Sequence, residues 1–263
     1  RWEADQLAKM KAAGKVPRDD SWKAKYKEPL EPDAALLNPL PDGWATATWS
    51  QVGFSQNGRP FPSGEYQTSG VKLVRPGNLH VSGRVEWSEK NTVRLNPHWA
   101  TSDADLLVGP SELIMNLTAQ SLRDEFLGRI CLTVEGEQCL LNQRLARLTP
   151  VLLEPRFVLW WLKTPVFRRF VDGLNTGSLI QHMFTSQLDK FVAPLPPLPE
   201  QHRIVAEIER RLSVVDELEA TVEKNLARCA RLRQSILKMA FEGRLGPQDP
   251  NDEPASVLLE RIR

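Results

Sequence analysis

Asn and Gln amides pair bidentately with adenine and the Arg fork pairs with guanine, so a stretch concentrating these types is equipped to read base edges. Residues 116 to 144 form such a stretch. Asn116, Thr118, Gln120, Ser121 and Arg123 come in one loop-like run, and Arg129, Asn142, Gln143 and Arg144 follow closely. With Arg75 and Arg84 upstream, the candidates for phosphate or base contact are Arg75, Arg84, Asn116, Thr118, Arg123, Asn142, Gln143 and Arg144. Exposed turns and satisfied strand ends use the same residue types, and that reading stays open beside the first. Gly177-Ser178-Leu179-Ile180-Gln181-His182 is a second polar turn, where glycine permits either close backbone approach to a phosphate or a tight corner.

Catalytic chemistry is harder to find. The sequence has no Gly-rich phosphate loop ending in Gly-Lys-Ser/Thr and no Gly-x-Gly-x-x-Gly. Its four histidines, His80, His98, His182 and His202, stand apart without paired ligand spacing, and Cys131 with Cys139 lacks the short Cys-x-x-Cys geometry of zinc sites. Asn96-Pro97-His98-Trp99 is similar to the Asn-Pro-Pro-aromatic loop of amino-group DNA methyltransferases. Its third position is His, however, and no glycine-rich cofactor loop precedes it, so a simple loop is the expectation. No cofactor or metal site is expected in this chain.

The 263 residues suffice for one large domain or two smaller ones, and 41% hydrophobic with 25% charged residues is an ordinary globular composition. No apolar run approaches the roughly 18 to 20 residues of a membrane span. The three cysteines, Cys131, Cys139 and Cys229, suit reduced thiols, so a cytoplasmic location is expected. The chain opens on Arg1 with no secretory signal and no Met, and is expected to be part of a longer reading frame. Net charge is only +1, from 34 basic and 33 acidic side chains, whereas a protein gripping nucleic acid through phosphates alone shows a basic excess. Residues 44–199 are slightly basic, with 15 basic against 13 acidic side chains, and contain 11 Arg to 4 Lys. That ratio favours forked recognition of bases or phosphates, or else reflects an Arg-rich composition bias.

The elements that must position these residues follow in four regions. Residues 1–43 comprise a helix, Trp2 to Ala13, stopped at Gly14, and a proline-broken connector in which Trp22 and Tyr26 are the expected docking points. Residues 44–193 are short apolar runs cut by Gly, Pro, Asn and Ser. Strands are expected at 70–75, 106–108 and 130–134, with short helices at 157–162 and 166–174. The expected fold is therefore α+β: a mixed, mainly antiparallel domain followed by one long coiled-coil helix. Residues 194–199, Pro-Leu-Pro-Pro-Leu-Pro, read as a stiff extended hinge, and the helix completes a region reaching residue 245. From Ile204 to Met239 apolar or small residues recur in steps of three or four averaging 3.5, the period of a left-handed coiled coil. Residues 246–263 form a tail with a short helix. A helix of roughly 60 Å with one apolar stripe needs a partner helix.

The segment Pro194-Leu-Pro-Pro-Leu-Pro-Glu-Gln-His-Arg-Ile-Val-Ala-Glu-Ile-Glu, with Leu232-Arg-Gln-Ser-Ile-Leu-Lys-Met-Ala-Phe-Glu-Gly-Arg-Leu245, resembles specificity subunits of type I restriction-modification systems. The middle resembles a target-recognition domain of that family in Leu73-Val-Arg-Pro-Gly-Asn78, Ala104-Asp-Leu-Leu-Val108, Phe126-Leu-Gly-Arg-Ile130 and Gly177-Ser-Leu-Ile-Gln181, entered through Leu40-Pro-Asp-Gly-Trp44. The resemblance implies a non-catalytic subunit that directs modification (methyltransferase) and restriction (motor-nuclease) subunits to a split site in double-stranded DNA. S-adenosylmethionine, ATP and magnesium then belong to those partners. A family subunit carries two recognition domains and two antiparallel helices. This chain carries one of each, so it is expected to be the second half of a subunit or a half that pairs with its own copy. The helix ends are the implied surface for the modification subunits, giving Gln201, Arg203, Arg233 and Phe241 as partner-interface candidates, and Leu226, near the centre of the apolar stripe, is the candidate for packing against the partner helix. Capping and padding of the coiled coil is the other reading of Gln201, Arg203, Arg233 and Phe241. The rival classes are a non-catalytic coiled-coil scaffold whose middle domain binds protein, and a solitary nuclease or methyltransferase.

Overall fold

The computed structural model describes residues 3–4, 7, 10–11, 14, 16–17, 19–26, 28–32, 39–120, 125–174, 181–247 and 249–262. The chain divides into two compact units, residues 1–205 and 206–263. Most of the 2–13 helix expected from sequence lies outside the described residues.

The first unit is built on two four-stranded sheets. One has the order β2-β10-β6-β8, from β2 (Gly53–Asn57), β10 (Leu145–Pro150), β6 (Leu113–Asn116) and β8 (Ile130–Leu132), and its pairs are all antiparallel. The other has the order β4-β3-β9-β5, from β4 (Val93–Leu95), β3 (Val71–Val74), β9 (Cys139–Leu141) and β5 (Leu107–Val108), with β3 and β9 parallel. Side chains alternate along a strand, so a strand covered on both faces is apolar throughout. β6 is covered in this way: Leu113, Ile114 and Met115 are buried, and so is Asn116, the polar residue on which the strand ends. Leu113 and Met115 pack with Ala146 and Leu148 against Phe157, Val158, Phe167 and Val171. These come from α3 (Pro155–Trp161) and α4 (Pro165–Gly173), numbered after the short α1 (Trp49–Val52) and α2 (His98–Ser102). Ile114, Cys131 and Leu145 face the opposite way, onto Val74, Leu141 and Val108 of the second sheet. Leu73, Leu95 and Leu140 then carry a further cluster with Phe61 on that sheet's far side. Both helices start on proline, after Glu154 and Thr164, and the Glu154 carboxylate accepts the Phe157 N–H at 2.8 Å.

The α+β class is as expected, but several boundaries move. The strand at 130–134 ends at Leu132, and Leu106 closes a 3-10 turn before β5. Residues 194–199 are not a free hinge. Val192–Leu195 is a strand, β12, paired antiparallel with β1 (Ala45–Thr48), and the long helix α6 (Leu198–Phe241) starts three residues later. Proline is tolerated there because β12 is bonded along one edge only, so Pro194 needs no N–H on the other. The connector docks through backbone at Leu30, not through Trp22 or Tyr26 alone: its N–H donates to Ser50 Oγ at 2.9 Å and its carbonyl accepts Thr48 Oγ1 at 2.7 Å. The remaining elements are β7 (Thr118–Ala119) paired with β11 (Gln181–His182), and α5 (Thr185–Leu188).

The first turns of α6 belong to this unit, with Val205 and Gln201 buried and Ile204 packed on the core. The apolar stripe therefore divides: its beginning is domain core, and the rest lies in the second unit. There Leu218, Val222, Leu226, Leu232 and Ile236 are 51 to 65% exposed, so nothing among the described residues covers them. α6 closes at Gly243, whose φ of +66° favours glycine, and the Arg244 N–H reaches back to the Met239 carbonyl at 2.8 Å. α7 (Ala255–Glu260) follows.

The three cysteines are free, two buried and one exposed. Burial pushes the Cys131 and Cys139 thiols up to about 12, so neither supplies thiolate near neutral pH. Titration of the native chain, diluted until its helix is unpaired, with an aromatic disulfide at pH 8 is expected to react one thiol, Cys229, rapidly, and all three after denaturation. Rapid reaction of two or more native thiols would contradict this placement.

Candidate nucleic-acid interface

Four segments converge on one edge of the first sheet. The Leu117 N–H donates to the Arg144 carbonyl at 2.9 Å, and the Leu117 carbonyl accepts the Met183 N–H at 3.0 Å, which sets Thr118 beside Arg144 and opposite His182. From the other side the Gly58 N–H donates to Leu145 O at 3.0 Å and the Arg59 N–H to Leu141 O at 3.3 Å. The approach at Gly58 is close: a Cβ there would stand 2.2 Å from the Asn142 carbonyl oxygen, so only glycine fits. Arg59, Gln143, Arg144 and His182 are exposed and Thr118 is half-buried. The edge thus offers Arg forks, an amide, a hydroxyl and an imidazole, which together can donate to and accept from base edges or phosphates.

The other described residues expected at this site do not present their side chains on this edge. Asn116 is fully buried, and its amide nitrogen donates to the Thr118 carbonyl at 2.7 Å and the Phe126 carbonyl at 2.9 Å. It holds a chain reversal and has no exposed edge to offer, which corrects the sequence reading. Asn142 is corrected likewise: 8% exposed, it accepts the Arg144 N–H on Oδ1 at 3.2 Å and shapes the turn that presents Gln143 and Arg144. Arg75 adjoins Asn142 along the parallel β3–β9 pair, but it is half-buried, with Nη2 on the Asn91 carbonyl at 3.2 Å and its guanidinium over Tyr66. Arg84 is exposed at the opposite margin of the sheet, bridged to Leu132 of β8. Arg123 lies outside the described residues, as do residues 177–180 of the second polar turn.

Part of the arginine excess of this region is internal. Arg94 donates to the Gly70 carbonyl, Arg129 to Leu79, Arg147 to Leu107 and Asp105, and Arg168 to Leu127. A planar fork with five donors satisfies carbonyls at irregular strand ends, and a domain of short strands has many such ends. The sequence reading missed Arg59, whose isolated position in a Gly-Arg-Pro turn gave no signal. His182 was seen only as the end of a polar turn.

On the helix, Gln201 is 1% exposed, so its assignment to a partner surface is corrected as well. Its Oε1 accepts the Glu154 N–H at 2.8 Å, and its Nε2 donates to the carbonyls of Pro196 at 2.8 Å and Leu152 at 3.3 Å. Arg203, Leu226, Arg233 and Phe241 are all exposed. Asn96-Pro97-His98-Trp99 is an N-terminal helix turn: Asn96 Oδ1 accepts the His98 N–H at 3.1 Å at the start of α2. Among the described residues no helix is long and apolar enough to cross a membrane.

Fold and edge together define a mixed α+β domain that displays polar side chains on loop turns and runs directly into a long helix with an uncovered coiled-coil stripe. No family model matches the chain. It is 31% identical over 239 residues to the type I restriction enzyme EcoBI specificity subunit of Escherichia coli, covering 85% of this chain and 48% of that one. The EcoDI specificity subunit of the same species is 32% identical over 119 residues, covering 42% and 27%. The EcoEI subunit is 26% identical across 98% of this chain and 50% of its own length. Two solved structures share the fold. One is a chain from a type I restriction-modification system, with TM-score 0.63 and 22% identity over 82% of this chain and 49% of that chain. The other is the HsdS subunit of Thermoanaerobacter tengcongensis, with TM-score 0.54 and 23% identity over 79% and 47%. The chain is similar over most of its length to specificity subunits of type I restriction enzymes, and it spans half or less of the length of these curated relatives.

Proposed function

We propose that this chain is one half of a sequence-reading subunit that places type I modification and restriction subunits on a bipartite site in double-stranded DNA. The supporting observation is the edge itself: Thr118, Gln143 and Arg144 stand together on a domain whose last strand feeds a helix with an uncovered 3.5-residue stripe. The domain reads one half-site. The stripe pairs with a second half-subunit or with another copy of this chain, and the exposed Arg203, Arg233 and Phe241 face the modification subunits. The chain is not itself catalytic, works in the cytoplasm, and leaves S-adenosylmethionine, ATP and magnesium to its partners.

Adding purified modification subunits is expected to produce site-specific adenine methylation, while the chain alone with S-adenosylmethionine transfers nothing. In that complex, Gln143→Ala or Arg144→Ala at a base-reading position should lose roughly 1 to 3 kcal/mol on the preferred site and relax preference at one base pair. A phosphate contact, expected of Thr118, would instead weaken all sequences alike. Wild-type affinity and selectivity through all three Ala variants would remove this edge from the interface. Methyl transfer by the chain alone, above a denatured control, would restore the enzyme reading.

A further inference from the structure

Beside the turn that presents Gln143 and Arg144 stands an arginine held on three sides. The Arg59 guanidinium lies 5.3 Å from the Phe61 ring centroid and 5.1 Å from that of Trp99, and the two rings meet edge to face at 5.4 Å. Its Nη1 donates to the Asp103 carboxylate, which is almost wholly buried and is itself held by the Ser102 hydroxyl at 2.8 Å. Trp99 is fixed in turn by its indole N–H on Glu65 at 2.7 Å. Yet the Arg59 side chain remains 44% exposed: its Nε reaches the Pro60 carbonyl at 3.5 Å, and its Nη2 has no acceptor among the described residues.

We propose that Arg59 is a specificity-determining residue that reads a guanine through O6 and N7 in the major groove, with Asp103 and Trp99 as its positioning residues. The inference rests on the DNA-reading function above and assigns it a residue outside the polar run of the sequence. Two physical arguments carry it. A long side chain loses rotamer entropy when it binds, and one already stacked and ion-paired has lost most of it, so its donors are pre-organised for a fixed acceptor pair. The Asp103 carboxylate also offsets the guanidinium charge, which makes the pair a poor attractor of phosphate while leaving the remaining N–H donors aimed at a neutral base edge. Its location completes the case, since the Arg59 backbone bridges Asn142 in the turn that leads to Gln143 and Arg144.

The test uses the chain assembled with its modification subunits and a pool of randomised duplexes, with methylated sequences read out at several salt concentrations. The wild-type complex is expected to require guanine at a position that Arg59→Ala renders indifferent, with about a tenfold to hundredfold loss on the preferred site and other positions unchanged. Arg59→Lys, which keeps the charge and loses the fork, should behave like Ala. Asp103→Asn should flatten the same position partially. If Arg59→Lys restores wild-type behaviour, and Arg59→Ala weakens every sequence alike with a shallower salt dependence, the residue is a phosphate contact and the proposal fails. It fails too if the selected sequences are unchanged in both Arg59 variants, or if their melting curves show the turn unfolded while a protein-partner contact is lost with no change in base preference. A wild-type complex with no sequence preference would instead overturn the DNA-reading function itself.

Discussion

Gln201→Ala is expected to destabilise the first unit by about 2 to 4 kcal/mol, because it removes every side-chain partner of the groups it joins while leaving them buried. The Glu154 N–H and the carbonyls of Pro196 and Leu152 all depend on this one amide. They belong to the start of α3, the end of β12 and the loop after β10, so the amide ties the root of α6 to two other parts of the core. Gln201→Leu matches the volume but satisfies none of the three groups, and it should cost nearly as much as Ala. Urea titration followed by tryptophan fluorescence measures this directly. A shift below about 0.5 kcal/mol for both variants would mean that water replaces the amide at no cost. The result also separates two meanings of the same motif: a residue in the most family-like segment of the chain acts here as an internal brace.

The second large effect is expected from Leu226→Asp, and it should be confined to assembly. Leu226 is 65% exposed in the single chain, so a charge there meets water and the unfolding midpoint of the first unit should not change. In a paired helix the same position lies in the seam, where an unpaired carboxylate costs several kcal/mol. Sedimentation is therefore expected to show an associated wild-type protein, or a wild-type complex with its other half-subunit, that Leu226→Asp weakens on the order of a thousandfold. Association of the variant as tight as wild type would place the seam elsewhere. Cys229, three residues further along the stripe, gives an independent reading: its thiol should react rapidly in the variant and slowly in the wild-type assembly.

Local order was legible wherever the signal lies within a few residues. The short helices expected at 157–162 and 166–174 stand as α3 and α4, and the strand expected at 70–75 stands as β3. The 3.5-residue recurrence marked a helix seam because a stripe on a rod depends only on the spacing of its own residues. The family motifs at 194–209 and 232–245 needed no structure either. What local patterns could not decide is which polar side chain faces outward. Asn116 and Thr118 stand two residues apart with similar chemistry, yet one is sealed under the sheet edge by the Phe126 carbonyl and the other borders Arg144. Pro194 read as a hinge because its strand partner is Thr46, far back in the chain. Arg59 became notable only when Asp103 and Trp99, more than thirty-five residues away, closed around it. Helix and turn preferences are set by neighbours in sequence, whereas burial and the choice of hydrogen-bond partner are set by neighbours in space. For this protein the first determined the class of fold and the long helix, and the second decided which residues are left to meet another molecule.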